Sequence, residues 1–303
     1  TPYGIFPMDN GAPYYSVAID QSDTSGMTVY AANNCIYKTT NGGTNWTCCY
    51  NPGEGAAASY ISAMEWTPFI DDATGDASTL VLAGVYLIDS ALAGGLLVST
   101  NDGTSWINIE FEDAPAGVDV NDILCTPGME GTNLSLGDAF VAAEYNKTDN
   151  TGGGIYQLDP DPDTGPPVLE HCMDDPVSIS DLAVTTGGSV FASGMTLNYA
   201  PVVYRGEAGS EIIDWRLLTT DGLPHDARPQ ANPNWRGPVL SIGLDASSNQ
   251  VPVIAVGTKL YYLPSDGGRW LTSTKLAYPG GTQINVLYWD DLLVGTDTGL
   301  YGQ

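Results

Sequence analysis

Thr39-Thr40-Asn41-Gly42-Gly43-Thr44-Asn45-Trp46 decides how this chain folds, because nearly the same phrase returns twice. The second copy is Ser99-Thr100-Asn101-Asp102-Gly103-Thr104-Ser105-Trp106, and the third is Leu263-Pro264-Ser265-Asp266-Gly267-Gly268-Arg269-Trp270. Each follows a short aromatic or aliphatic run of strand character, at residues 35–38, 95–98 and 260–262. A recurring unit fixes architecture before any single residue does. Within it an Asn or Asp side chain folds back onto nearby backbone N–H groups, and Gly supplies the positive φ that closes the turn. Ser or Thr adds a further local hydrogen bond. The Trp opens the next strand and buries its ring between neighbouring sheets, contributing roughly 2–3 kcal/mol. Thr39, Asn41, Gly43, Trp46, Ser99, Asn101, Gly103, Trp106, Ser265, Gly267 and Trp270 are therefore read as structural.

The phrase resembles the Asp-box, or BNR, hairpin, whose pattern is Ser/Thr-x-Asp/Asn-x-Gly-x-Ser/Thr-Trp. That resemblance implies a β-propeller, in which the box usually lies far from any active site. Aligning the chain on the phrase gives six units, at about 14–50, 60–111, 118–172, 177–218, 237–276 and 284–303. The last stops at Gln303 without an outer strand. An unpaired edge is what closed sheets avoid, and the strand-like residues 3–8 are available to fill it. The expected fold is all-β: one domain over 1–303, a six-bladed propeller closed by its N-terminal strand. Seven blades is the alternative, if two are merged in the long third unit.

The bulk composition agrees with many short strands. Gly 36 and Pro 20 are too frequent for a helical protein, and no segment of the 303 residues keeps a helical period. No stretch approaches the roughly 18 apolar residues of a membrane span. Against 36 Asp+Glu stand 9 Lys+Arg, a net charge of −27. Nucleic acid is excluded as a partner, since phosphate binding needs clustered cations. Insertion into an acidic membrane is unfavoured for the same reason. An acidic, solvated shell suits a secreted, saline or Ca²⁺-rich setting, and it also serves solubility alone.

Export is the expected destination, outside the cell or at its surface. Five cysteines point that way, as do sequons at Asn45, Asn133 and Asn146, candidate glycosylation sites. The chain begins Thr1-Pro2 without a methionine, as a processed or excerpted protein does. Pairing Tyr37 with Thr47 across the first hairpin would set Cys35 opposite Cys49, in reach of a disulfide. Two histidines and no C-x-x-C leave little for zinc.

Two segments carry candidate chemistry. Asp159, Asp161, Asp163 and Glu170 stand at positions 1, 3, 5 and 12 of an EF-hand-like run, making Ca²⁺ the candidate cofactor. Thr164 replaces the usual Gly, prolines intervene and strands flank the run, so a plain hairpin turn is the competing reading. The second segment is the long connection 219–238, with His225, Arg228, Trp235 and Arg236. It should emerge on the face of the loops at 145–153 and 195–200, bringing up Tyr145 and Tyr199. Arg205, Arg216, Arg228 and Arg236 make up four of the nine cations, and the aromatic residues suit stacking on sugar rings. The competing reading is a loop that packs over the channel mouth, anchored by Trp235.

Sialidases share the Asp box but need an arginine triad, and residues 1–200 contain no arginine. A photosystem II assembly propeller resembling this one would likewise present an arginine patch. The xyloglucanase-like glycoside hydrolases use BNR-type propellers in facing pairs with two aspartates as acid and base, so this chain would supply one half. No catalytic residue stands out. The expected function is a non-catalytic structural or protein-interaction module of a cell-surface or secreted assembly, with protein partners or self-assembly. A carbohydrate-binding or hydrolase-like propeller is the alternative, with glycans as ligands.

Overall fold

Strand propensity and tight turns dominate the computed structural model, which describes residues 16–51, 59–70, 77–87, 94–111, 114, 117–126, 139–146, 151–159, 168–173, 176–207, 215–227, 237–273, 284–288, 293–296 and 299–301. Among these there is no helix, and every regular element is a strand. The first sheet is an antiparallel meander of β1 (Ser16–Ile19), β2 (Val29–Ala32), β3 (Ile36–Thr39) and β4 (Thr47–Tyr50). A second sheet begins as β5 (Ser59–Ile70), β6 (Ala77–Leu87), β7 (Gly95–Ser99) and β8 (Ile107–Phe111). It continues with β9 (Val120–Cys125), β10 (Ala139–Asn146), β11 (Thr151–Asp159) and β12 (Val168–His171). The third holds β13 (Val177–Val184), β14 (Ser189–Thr196), β15 (Pro201–Glu207) and β16 (Arg216–Leu217). The fourth holds β17 (Val239–Leu244), β18 (Gln250–Val256), β19 (Lys259–Tyr262) and β20 (Leu271–Thr272). Three strands form the last: β21 (Ile284–Tyr288), β22 (Leu293–Thr296) and β23 (Gly299–Tyr301). The segment expected to complete it, residues 3–8, lies outside the described residues.

The chain divides into two compact units. One comprises Thr1–Ala143 and Tyr156–His171, the other Glu144–Ile155 and Cys172–Gln303. In the first unit the sequence pattern separates 60–111 from 118–172, yet β8 and β12 pair in parallel through Glu110↔Val168 and Phe111↔Leu169. The two meanders therefore make one eight-stranded sheet. Burial explains the junction: Phe111 and Leu169 enter the same core cluster, where Tyr156 meets Phe111 edge-on at 4.9 Å.

One device recurs in the leading strand of several meanders. The β5–β6 ladder skips Ser62, the β9–β10 ladder skips Asn121, the β13–β14 ladder skips Ser180 and the β21–β22 ladder skips Asn285. Each is a β-bulge, which turns one side chain out of the alternating pattern. In the first unit Ser62 Oγ donates to Gly84 O at 3.1 Å and to Val120 O of β9. In the second, Ser180 Oγ donates to Ser193 O at 3.1 Å and to Pro238 O, beside β17, at 2.6 Å. One hydroxyl thus shares its single proton between a carbonyl of its own meander and one at the start of the next. Ser62, Asn121 and Ser180 are equally spaced in the chain, a repeat that the turn phrase does not reveal.

The turns themselves use the chemistry their residues suggest in two cases of three. Gly43 N donates to Thr39 Oγ1 at 3.0 Å and Asn45 N to Asn41 Oδ1 at 2.9 Å. Correspondingly, Gly103 N donates to Ser99 Oγ at 2.9 Å and Ser105 N to Asn101 Oδ1 at 2.8 Å. Gly43 and Gly103 have φ of 85° and 80°, where a side chain is disfavoured. The third turn is built differently. Gly267 N donates to Pro264 O at 2.9 Å, while Asp245, from the β17–β18 turn, accepts from Ser265 N at 3.4 Å. Hydrogen bonds, that of Ser265 foremost, hold the Asp245 carboxyl well below the usual carboxylate range.

Candidate functional site

The tryptophans that close the three turns do different things. Trp46 lies half-buried over its own hairpin, with Nε1 donating to Gly43 O at 3.2 Å. Trp106, also half-buried, meets Tyr50 of β4 edge-on at 6.2 Å, so it packs between β8 and the first sheet. Trp270 is 1% exposed and serves the long connection instead. Its Nε1 donates to Thr219 O at 2.7 Å and its backbone N to Asp221 O at 2.8 Å. Gly222, at φ 93°, lies so close that a Cβ there would stand 2.2 Å from Trp270 O. One residue later Leu223 enters the core cluster of Phe191, Val203, Ile254 and Trp270.

The connection then reaches the β14–β15 hairpin, where Ala227 N donates to Tyr199 O at 2.9 Å. Tyr199 itself holds φ 60°, a left-handed conformation uncommon for an aromatic residue. Residues 219–227 therefore form a strap pinned at one end by Trp270, in the middle by Leu223 and at the far end by the hairpin. Trp270 anchors this stretch; Trp235, the anchor in the competing reading, lies outside the described residues. Exposed along this edge are His225 and, on the hairpin, Leu197.

Of the residues expected on a ligand or partner face, Tyr199 and His225 are brought onto the strap and its hairpin. Tyr145 lies elsewhere in the second unit, its backbone N–H donating to Ser178 Oγ at 3.1 Å beside Gly153. Arg228, Trp235 and Arg236 lie outside the described residues, as do Asp161, Asp163 and Asn133. Glu170 belongs to β12, exposed and paired with Gln157, while Asp159 pairs with Val168. The acid expected to close a Ca²⁺ loop is thus held in a ladder. Among the described residues no group of three or more His, Cys, Asp or Glu is arranged to hold a metal. Asn45 is exposed at its turn, and Asn146 ends β10.

The expected disulfide needs correction. All five cysteines are free thiols. The β3–β4 ladder sets Ile36 opposite Tyr50 and Tyr37 opposite Cys48, so Cys49 is an extra, bulged residue. Tyr37 does not face Thr47, and the Cys35–Cys49 alignment drawn from that register is lost.

Two constellations escaped the sequence reading. In the first unit Asp102, at φ 60° in the second turn, accepts from the Tyr30 hydroxyl and from Lys38 Nζ. Lys38 also donates to Asp102 O at 3.2 Å and lies 5.2 Å from the Tyr30 ring centroid. Tyr30 is fully buried; that burial, followed by the Asp102 carboxylate, pushes its phenol far above the usual range. Asp102 thereby fastens the β7–β8 turn to β2 and β3. Asp102→Ala should cost about 2 kcal/mol in urea unfolding, because it strands a buried hydroxyl and a cation. Asp102→Asn should lose less than half of that, since Asn keeps an acceptor oxygen and tolerates the left-handed backbone. Equal losses from the two variants would refute this role.

The second constellation is Glu65 on β5 with Asp122 on β9. Glu65 is the one acid in the apolar run Ala63-Met64-Glu65-Trp66, a signal the sequence did offer. Ala63, two residues away on the same face, belongs to the core cluster shared with Val120 and Ile123 of β9. Burial first, and the Asp122 charge second, raise the Glu65 carboxyl from its ordinary 4.5 to about 7. A carboxylic acid in that range is half-protonated near neutrality and is able to donate a proton.

No protein-family model and no curated protein matches the chain. Among solved structures the chain is similar to the GH74 xyloglucanase from Xanthomonas campestris, at 16% identity and a TM-score of 0.58. That match covers 95% of this chain and 44% of the xyloglucanase. It is also similar to the extracellular domain of BT4673, a one component system from B. thetaiotaomicron, at 12% identity and a TM-score of 0.53. There the coverage is 99% of this chain and 34% of the other. The chain thus spans less than half the length of either structure. Together with the antiparallel four-stranded meanders, these likenesses support a β-propeller fold.

Proposed function

We propose that the chain is a six-bladed Asp-box propeller, closed by residues 3–8, which acts outside the cell as a non-catalytic protein-interaction module. The observation that carries this reading is the strap at 219–227. Its backbone is fixed by Trp270, Leu223 and the Tyr199 hairpin, and His225 is exposed along it. A rigid, exposed edge costs little conformational entropy when a partner docks. Arg228, Trp235 and Arg236 come next in the sequence, cationic and aromatic residues within a strongly acidic protein. A partner with an acidic or mixed surface is the one this charge pattern admits. An extracellular setting draws support from the net charge of −27, the three sequons and the likeness to an extracellular domain.

The test is capture of partners from the surface fraction of the source cells, with wild-type protein and a His225→Ala/Arg228→Ala/Trp235→Ala variant. A protein held by the wild type and lost by the folded variant supports the reading. Equal capture by both, or none by either, counts against it. Light scattering with and without Ca²⁺ separately decides whether the partner is a second copy.

A second reading is favoured by one observation, the raised Glu65 carboxyl beside Asp122. It makes the chain a carbohydrate-active propeller, with Glu65 as acid and Asp122 as its charged companion. Reducing-sugar release from β-glucans, abolished by Glu65→Gln and by Asp122→Asn, would establish it. Absence of release by wild-type protein across a β-glucan and xyloglucan panel would remove it.

A further inference from the structure

Across β14, β15 and β16 the ladders set Phe191 opposite Arg205 and Arg205 opposite Arg216. Directly opposed residues of an antiparallel pair project to one side of the sheet, their Cβ atoms about 5 Å apart. Two exposed arginines therefore stand side by side on one face, in a protein with 9 Lys+Arg against 36 Asp+Glu. Like charges placed directly opposite destabilise a sheet, so this pair needs an anion. Arg205 is aimed by its neighbours. Its Nη2 donates to Ser189 Oγ at 3.0 Å, and its guanidinium carbon lies 5.8 Å from the Phe191 ring centroid.

The first unit holds the same arrangement with its acid in place. Tyr30, Lys38 and Thr47 follow one another across β2, β3 and β4 as Phe191, Arg205 and Arg216 do across β14, β15 and β16. Lys38 lies 5.2 Å from the Tyr30 centroid, as Arg205 lies over Phe191. Asp102, fourth residue of the next meander's turn phrase, accepts from both Lys38 and the Tyr30 hydroxyl. The second unit keeps the cation and changes what fixed the acid. Phe191 has no hydroxyl to offer. Asp266, fourth residue of its own phrase, accepts instead from Gly268 N at 3.3 Å. Arg216 stands where the first unit has the neutral Thr47, doubling the positive charge.

We propose that Arg205 and Arg216 form a carboxylate clamp for an acidic segment of a protein partner, taking from outside the acid that Asp102 supplies within the first unit. Each guanidinium offers a fork of N–H donors matched to a carboxylate, and an acid bridging the two removes their mutual repulsion. A peptide suits the place better than a free anion or a glycan. Among the described residues β16 is the last strand of its sheet, and Leu217 beside Arg216 is 48% exposed. An extended segment thus finds backbone groups and an apolar contact next to the clamp. The clamp rests on the interaction-module reading only for the source of the acid, and the strap at 219–227 is no part of it.

Fluorescence anisotropy with a labelled hexaglutamate peptide, at physiological ionic strength, tests the clamp on the whole chain. Wild-type protein should bind the peptide, and Arg216→Thr, which installs the first unit's residue, should weaken binding roughly tenfold. Arg205→Gln should do the same. Lys259→Ala, which removes an exposed cation from β19, should bind as wild type does. Without peptide, Arg216→Thr should raise the urea midpoint, because a like-charge pair is gone. A lowered midpoint would mean that Glu207, Glu211 or Asp214, which lie between the two arginines in sequence, already use Arg216, and it would overturn the clamp. No binding by wild type, unchanged binding by Arg216→Thr, or an equal loss in Lys259→Ala would also overturn it. Binding of oligogalacturonate in place of hexaglutamate would move the acid to a glycan and end the protein assignment. Peptide binding lost while strap-dependent capture persists sinks the clamp alone; the reverse sinks only the strap.

Discussion

Trp270→Ala is expected to destabilise the second unit by about 4 kcal/mol, within the usual 3–5 for deleting a buried Trp. The ring is fully buried against Leu223, Phe191 and Ile254, and its loss leaves a cavity that strands cannot close without moving. The indole N–H to Thr219 O bond goes with it. Because native domains hold only about 5–15 kcal/mol in total, this is a large share. Release of the strap is the more specific consequence: residues 219–227 should become a site of proteolytic cleavage before the sheets unfold. Trp46→Ala is the control. That ring lies half-buried over its own hairpin, so roughly 1–2 kcal/mol and no new cleavage are expected. Trp270→Phe should keep most of the packing and lose about 1 kcal/mol with the donor. Urea unfolding and limited proteolysis with peptide mapping read all three. If Trp46→Ala matched Trp270→Ala, or if 219–227 stayed resistant, the anchor would have to lie elsewhere.

That contrast shows where the sequence was informative. Thr39 with Asn41 and Ser99 with Asn101 could be read directly, because side chain and backbone lie within five residues and the chemistry is local. The all-β class was legible for the same reason, since turn residues and strand propensity are short-range properties. Trp270 shares the phrase but not the role, as its partners Thr219 and Asp221 lie about fifty residues upstream and only the fold brings them near. Asp102 was passed over as an ordinary turn residue, although its carboxylate holds a Tyr and a Lys of the preceding sheet. The Cys35–Cys49 pairing failed on a single-residue slip. A β-bulge at Cys49 reassigns every cross-strand neighbour beyond it, and nothing in Thr47-Cys48-Cys49-Tyr50 announces one. The repeated bulges at Ser62, Asn121 and Ser180 share a spacing but no consensus, Ser standing at two of them and Asn at the third, so no local pattern marks them.

Glu65→Gln is expected to stabilise the first unit above neutral pH and to change little in acid. Glu65 has an ordinary value of 4.5 and is raised to about 7 in the folded chain by burial, with Asp122 contributing. The folded state therefore holds the Glu65 proton more tightly than the unfolded state does. Its favourable contribution is complete below about pH 4.5 and is lost as pH climbs through about 7. Above that the carboxylate must be ionised in a site that disfavours charge, at a cost of at most about 3 kcal/mol. Gln carries the shape of the protonated acid without the titration. Wild type and variant should thus unfold alike near pH 5, and the variant should be the more stable by up to about 3 kcal/mol at pH 8. Asp122→Asn should recover a smaller part of this, because burial is the leading cause and the neighbouring charge the lesser one. Urea titrations at the two pH values decide it. A difference between wild type and Glu65→Gln that is the same at pH 5 and pH 8 would mean that the carboxyl is ionised throughout. Glu65 would then be an ordinary structural acid, and the carbohydrate-active reading would lose the observation that favours it.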